Sequence, residues 1–251
     1  MKTDKPPCWG RRRCLQAALA ATVLPPGAAR AEAAIERLGI FSLLGDSVRV
    51  VARQTEEVLF KDVQMDEIVS ATAKAAVLER YPQAQVSLYR PPEQTSVDDQ
   101  RAIGTAAGQH GELPDWIVKT AREASLSHVL LITSNVGAME FRTGSSQVVG
   151  NNRVVGIGFY VSADGRTSNT TTGAVASGYL APFIQLRLTL LDAANRRVLN
   201  SASLSDGFIV GPPASEAPDP WRFMTRPQKA QALQGLLKSN MTRGMAIVLK
   251  P

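Results

Sequence analysis

His128-Val-Leu-Leu-Ile-Thr133 is an apolar run unbroken from Val129 to Ile132. A strand with one wet face alternates apolar and polar side chains, so this run predicts a strand buried on both faces. The segments before it indicate what covers them. Pro114 opens a helix that runs to about Ala124, after a polar loop over residues 91–112. Gln85–Tyr89 reads as a strand. Ahead of it Asp66 caps a helix with Ile68, Ala71, Ala75 and Leu78 on one stripe, stopped by Pro82. Strand, helix, strand, helix, strand implies right-handed crossovers and a sheet that is at least partly parallel. The predicted fold class is therefore α/β, a mixed sheet with about three helices, in a single domain over residues 32–251.

Towards the N-terminus, residues 38–53 hold two apolar runs flanking Gly45-Asp46, a two-residue turn pair that predicts a β-hairpin. Towards the C-terminus, residues 154–161 and 183–191 read as strands. Between them, residues 162–180 are rich in Gly, Ser, Thr and Asn and predict a flexible loop that adds nothing to a core. A turn at 192–196 leads into a strand over 197–204, a second hairpin. A Pro-rich loop at 211–220 then precedes an amphipathic helix over about 228–248. The element order over roughly residues 36–205, opening with strand, Gly-Asp-Ser, strand, resembles the α/β domains of envelope proteins related to curli-secretion lipoproteins and the amino-terminal domain of the Tol translocation propeller protein. The resemblance implies an α/β envelope module and transfers no functional residue.

The chain has 251 residues and a net charge of +6, unevenly distributed. Residues 1–31 carry six basic side chains against Asp4 alone, and residues 221–251 carry six against none, which leaves residues 32–220 with 16 basic and 21 acidic groups. Bulk charge therefore gives no reason to expect a nucleic-acid partner. The N-terminus has the three parts of an export signal. Arg11-Arg12-Arg13 precedes an apolar run from Leu15 to Leu24, and Ala29-Arg30-Ala31 is a small-residue cleavage site. Residues 1–31 are the expected signal peptide, and the mature chain is expected to be periplasmic or secreted. Arg11-Arg12-Arg13-Cys14-Leu15-Gln16 resembles the twin-arginine signal, with Cys14 and Gln16 where that pattern has Phe and Lys. Both cysteines, Cys8 and Cys14, lie in this segment, so no disulfide scaffold is expected. No apolar run approaches the roughly 18–20 residues of a transmembrane helix.

Gly45-Asp46-Ser47 resembles the nucleophile block of GDSL-type esterases, a family that takes its base from a C-terminal Asp-x-x-His. No histidine follows His128 here, and Val48-Arg-Val-Val51 stands where that family has a helix, so the turn reading is preferred. His110-Gly-Glu112 has the His-x-Glu spacing of zinc deaminases without their cysteine pair. Gly156-Ile-Gly158 does not complete a dinucleotide-binding fingerprint and reads as a bulge or close packing within a strand. Asn169-Thr-Thr171 and Asn240-Met-Thr242 match the glycosylation pattern by coincidence in a chain with a bacterial-type signal. No catalytic residue, cofactor site or metal site is assigned.

The last helix carries the clearest pattern, with Leu233, Leu236, Leu237, Met241, Met245 and Val248 at three- and four-residue spacing. Arg222, Arg226, Lys229, Lys238 and Arg243 form its basic complement and are the candidate partner-binding residues, for an envelope protein or an anionic surface. The expected function is a non-catalytic periplasmic binding or accessory protein of the cell envelope. The alternative is a hydrolase using Ser47 or carboxylates such as Asp98, Asp99 and Asp164. For the export signal, replacing Arg11, Arg12 and Arg13 by Lys abolishes twin-arginine translocation and spares general secretion. Periplasmic fractionation checks this, and undiminished periplasmic protein in that variant rejects the twin-arginine reading.

Overall fold

A computed structural model describes residues 35–44, 48–52, 55–56, 65–92, 113–142, 148–169, 171–213 and 219–250. Residues 1–31, Ser47, Asp98, Asp99 and His110-Gly-Glu112 lie outside them. Chain order runs β1 (Arg37–Ser42), β2 (Arg49–Ala52), β3 (Thr55–Glu56), α1 (Met65–Arg80), β4 (Gln85–Tyr89), α2 (Asp115–Glu123), β5 (His128–Ser134), β6 (Val136–Arg142), β7 (Val148–Ser168), β8 (Val175–Asp192), β9 (Arg197–Gly207), a 3₁₀ turn (Pro220–Phe223) and α3 (Arg226–Val248). Residues Ile35–Pro251 form one compact unit.

The apolar run chosen from the sequence is an inner strand. β1 pairs in parallel with β4 on one edge and β5 on the other, so that Ile40 is level with Leu88 and Leu130. Side chains alternate between two separately covered faces. Leu38, Ile40, Leu130 and Ile132 pack in one cluster with Val69, Ala73 and Val77 of α1. Phe41, Val129 and Leu131 pack in another with Ile117 and Ala121 of α2. The helix face that α1 buries differs from the expected one. Val69, Ala73 and Val77 are fully buried, whereas Ala71 and Ala75 are exposed and Ile68 is half-buried. The β-branched Val69 and Val77, with Met65 and Ala73, face the sheet, and Ile68 is left at the margin. Asp66 does not cap α1 from outside: it lies in the first turn, is itself buried, and accepts a hydrogen bond from the Ser42 hydroxyl.

Two further expectations are corrected. The runs flanking Gly45-Asp46 do not form a hairpin. Both edges of β1 are already taken by β4 and β5, and β2 pairs instead with β3 and, in parallel, with β7. Residues 162–180 are not a loop either. They form the ends of β7 and β8, paired antiparallel at Arg166–Ser177, Thr167–Ala176 and Ser168–Val175. Asn169 ties the connection, its side-chain oxygen accepting from the N–H groups of Thr171 (2.9 Å) and Thr172 (3.2 Å), with Gly173 at φ +70°. Backbone pairing and an Asx turn do what apolar side chains do elsewhere.

β8 carries the sheet. It pairs with β9 through Phe183–Asp192, and its other edge is divided between β7 up to Gln185 and β5 from Leu186. Where one partner replaces the other, Asn135 donates its N–H to Gln185 O (2.8 Å) and accepts from Gly156 N (3.2 Å). Gly156 stands at φ +71°, and a Cβ on Gly137 would come within 2.8 Å of the Gln185 amide. Gly158 makes the other close approach, since a Cβ there would sit 2.1 Å from Arg49 O on β2. The paired glycines are thus close-packing positions in a strand. Beyond the junction β6 pairs with the first part of β7. Its Met139 and Phe141 pack with Val154, Tyr160, Tyr179, Ala181 and Phe183, where burial and the neighbouring Tyr160 push the Tyr179 phenol up to about 12.

α3 begins at a capping box, in which Thr225 accepts from the N–H of Gln228 and the Gln228 side chain accepts from the N–H of Thr225. Leu233, Leu236, Leu237, Met241, Met245 and Val248 are all buried against β8, β9 and α1. Gly244 lets the helix approach, because a Cβ there would meet Leu188 at 2.7 Å and Leu204 at 2.8 Å. Leu237→Ala removes core contacts and is expected to cost roughly 2–5 kcal/mol. Lys238→Glu, on an exposed neighbour, is expected to change stability by about half a kcal/mol at most. Thermal or denaturant melts of the two variants check this, and an unmoved transition for Leu237→Ala would contradict the packing.

Candidate functional site

The five basic residues chosen from the sequence fall into separate places. Arg222, on the 3₁₀ turn, is largely exposed and lies 3.8 Å from the carboxylate of Asp219. Asp219 also caps that turn by accepting from Trp221 N at 2.9 Å. Lys229 lies over the face of the Trp221 ring, its Nζ 3.5 Å from the centroid, and the same ring meets Phe159 edge-on at 5.6 Å. Burial lowers the Lys229 ammonium pKa, and Asp219 opposes that in part. Arg226 is exposed at the first turn of α3, with contacts of its own. The corner formed by Trp221, Arg222, Arg226 and Lys229 is therefore a group of cations built around one aromatic ring. Trp221 and Asp219 were not chosen from the sequence. They stand before the Thr225 cap, outside the helix, where helical spacing gives no signal.

Lys238 and Arg243 are elsewhere. Twelve and seventeen residues beyond Arg226 place them ~18 Å and ~25 Å along the helix axis. A rotation of ~140° separates the two, so they lie on opposite margins of the buried stripe, with exposed Gly235, Ser239 and Thr242 between them. Arg243 donates to the Asn240 side-chain oxygen and lies 4.0 Å from Asp206. Asn240 is buried and donates to Asp206 at 2.8 Å, which also closes its glycosylation pattern to modification. The helix thus has a basic corner and two isolated cations rather than one continuous basic face.

One arrangement has the residue types of a nucleophile and its base. Ser127 Oγ lies 3.0 Å from His128 Nδ1, and His128 is level with Asp192 across β5 and β8. The Ser127 hydroxyl donates to Arg37 O at 2.9 Å and accepts from Arg37 N at 3.1 Å. Its proton is held on a backbone carbonyl, so the group closes the start of β1 and β5 and is not set up for attack. Burial lowers the pKa of the His128 imidazole, and Asp192 restores only part. Asp192 is held below the usual carboxylate value first by hydrogen bonds from Asn195. Among the described residues no three His, Cys, Asp or Glu side chains come together as a metal site, and no helix is long and apolar enough to cross a membrane.

No family model matches the chain, and no curated protein matches it. Solved structures do. The PelC dodecamer from Paraburkholderia phytofirmans is 12% identical, over 86% of this chain and 89% of that one, at a TM-score of 0.33. A Xanthomonas campestris protein of the DUF330 family is 10% identical over 86% and 85%, at 0.39. Lipoprotein GNA1162 from Neisseria meningitidis is 12% identical over 68% and 83%, at 0.23. None of these likenesses transfers a residue or an activity.

His128 gives a pH dependence of known sign. Its folded-state pKa lies below the unfolded value, so the neutral form is favoured by folding and the unfolded chain takes up more protons as pH falls through about 6.5. Stability is expected to hold above that pH and to fall steadily from about pH 6.5 towards 5. His128→Asn, which keeps a polar atom near Nδ1, is expected to flatten that slope. Urea melts across the range check it, and an equal slope in the variant would contradict the assignment.

Proposed function

We propose that the chain is a non-catalytic binding or accessory protein of the cell envelope, exported as residues 1–31 imply. In this reading it docks an acidic envelope protein through the corner of Arg222, Arg226 and Lys229 around Trp221. The observation that carries the reading is the division of labour in α3. Its whole apolar stripe is used inside the molecule, so the helix cannot insert that stripe in a membrane without leaving the sheet. What its first turn offers outward is charge: residues 221–251 hold six basic side chains and no acidic one. Exposed cations of this kind speed encounter and select partners by sign. Asp219 pairs with Arg222 at 3.8 Å, and its charge also acts on Lys229. Lys238 and Arg243, set apart along the helix, extend the contact.

The test is the double variant Arg222→Glu/Arg226→Glu, which leaves the Lys229–Trp221 contact in place. Tagged wild-type chain is expected to capture an acidic protein from envelope extract at low salt and to release it at about 0.5 M salt, where charges more than a few ångströms apart are screened. The double variant is expected to capture less than a tenth as much, with an unchanged melting temperature. Capture that survives the charge reversal rejects the corner as the docking site. Binding to phosphatidylglycerol vesicles as strong as to the protein would make the partner a lipid surface and reject the protein-partner reading.

A further inference from the structure

Among the described residues two buried hydrogen-bond donors have no partner: Nε1 of the Trp116 indole and Nε of the Arg187 guanidinium. Buried donors are nearly always satisfied, and each exception asks for a water, an ion or a ligand. The two belong to the same face and the same end of the sheet. Leu186 and Leu188 pack in the cluster under α1 and α3. Arg187, between them, therefore points to the opposite face, the one on which Phe41, Leu131 and Leu191 pack under α2. There it is level with Thr133 on β5 and Ser203 on β9, and the adjacent row is Phe41, Leu131, Thr189 and Ser201. Trp116 is tilted against Phe41, with ring centroids 5.7 Å apart, and Phe41 stacks on Tyr89 at 4.8 Å.

Topology places both groups at the C-terminal ends of the parallel strands. α2 connects β4 to β5 and runs antiparallel to them, so its start, with Trp116 at the second residue, lies beyond Tyr89 and Phe41. Thr133, opposite Arg187, is the last residue but one of β5. This is the end of an α/β sheet at which ligands gather. From the column of Phe41 to that of Arg187 is two strand spacings, ~10 Å, a span that an arginine side chain and an indole can close around one small molecule. The residues level with Arg187 are hydroxyl-bearing, and among the described residues it forms no ion pair. The start of α2 has no side-chain cap either.

Both orphans are donors, one is a permanent cation, and a part-exposed aromatic ring stands beside them. We propose that Arg187 and Trp116 bind the carboxylate of a small organic anion between the start of α2 and β8. The guanidinium edge that carries Nε takes the carboxylate, the indole N–H completes its shell, and the ring covers the apolar body.

The chain has three tryptophans, Trp9 in the expected signal peptide and Trp116 and Trp221 beyond it, hence two indole N–H resonances in a ¹⁵N-labelled sample of residues 32–251, and Trp116→Phe identifies the one concerned. Sodium benzoate is the probe and inorganic phosphate the comparator. Benzoate is expected to shift the Trp116 resonance saturably and to leave that of Trp221 in place. Arg187→Gln is expected to weaken the effect at least tenfold. Arg187→Leu is expected to keep or raise the melting temperature, because it removes an unpaired buried donor. A Trp116 resonance unmoved by either probe would mean that water satisfies both donors and would overturn the proposal. A stronger response to phosphate would overturn the organic carboxylate, and a melting temperature lowered by more than about 5 °C in Arg187→Leu would make the side chain a structural strut.

Discussion

A strand has two hydrogen-bonding edges, and β8 must serve three partners with them. That constraint shapes the rest of the molecule. β9 takes one edge, while β7 and β5 share the other, and the exchange between them falls at Gln185. The backbone can make that exchange only if the arriving and departing chains pass within van der Waals distance of each other. This is why glycines stand at 137 and 156, and why Asn135 contributes both its N–H and its carbonyl to the joint. A side chain at 137 would press on the Gln185 amide, and one at 156 would be strained by the positive φ, so both residues keep the joint between the parallel half of the sheet and the long antiparallel half unstrained.

The parts of the fold legible in the sequence are those fixed by burial on both sides. Val129 to Ile132 show no alternation because α1 covers one face and α2 the other, and the crossovers follow from that. The stripe of α3 was legible because burial on one face only leaves a three- and four-residue period. What escaped was pairing. Gly45-Asp46 is a strong local turn signal, yet the partner of β2 is β7, about a hundred residues on in a chain whose local pattern cannot register so distant a contact. Residues 162–180 looked incapable of structure because strand pairing there rests on backbone groups and one asparagine, neither of which appears in a hydrophobic pattern. In α1 the face was misjudged because two apolar stripes lie side by side on the helix, and only the sheet decides that Met65, Val69, Ala73 and Val77 face inward.

The basic residues show the same division. Their number and the absence of acids among them are properties of composition and were visible at once. Their separation into a corner and two distant cations follows from the helical rise between Arg226, Lys238 and Arg243 and from the 3₁₀ turn that brings Trp221 beneath Lys229. Arg187 and Trp116 were invisible for a stronger reason. Each is unremarkable in its own segment, and only the register of β8 against β5, together with the descent of α2, places both above one face.

The parallel pairing of β2 with β7 also bears on how the molecule comes into being. At about 5–20 residues per second of synthesis, Val50 waits on the order of 5–20 s for its partner Phe159 to leave the ribosome. β1 waits nearly as long for β5. Until α1 and β4 have emerged, Leu38, Ile40 and Phe41 are an apolar segment with nothing to lie against, and the second edge of β1 stays open until β5 follows. If residues 1–31 direct export, as proposed, a route that carries folded cargo would hold such a chain until β8 has emerged, whereas a threading route would take it while these strands are still apart. The topology of one sheet would then set the timing between translation and export.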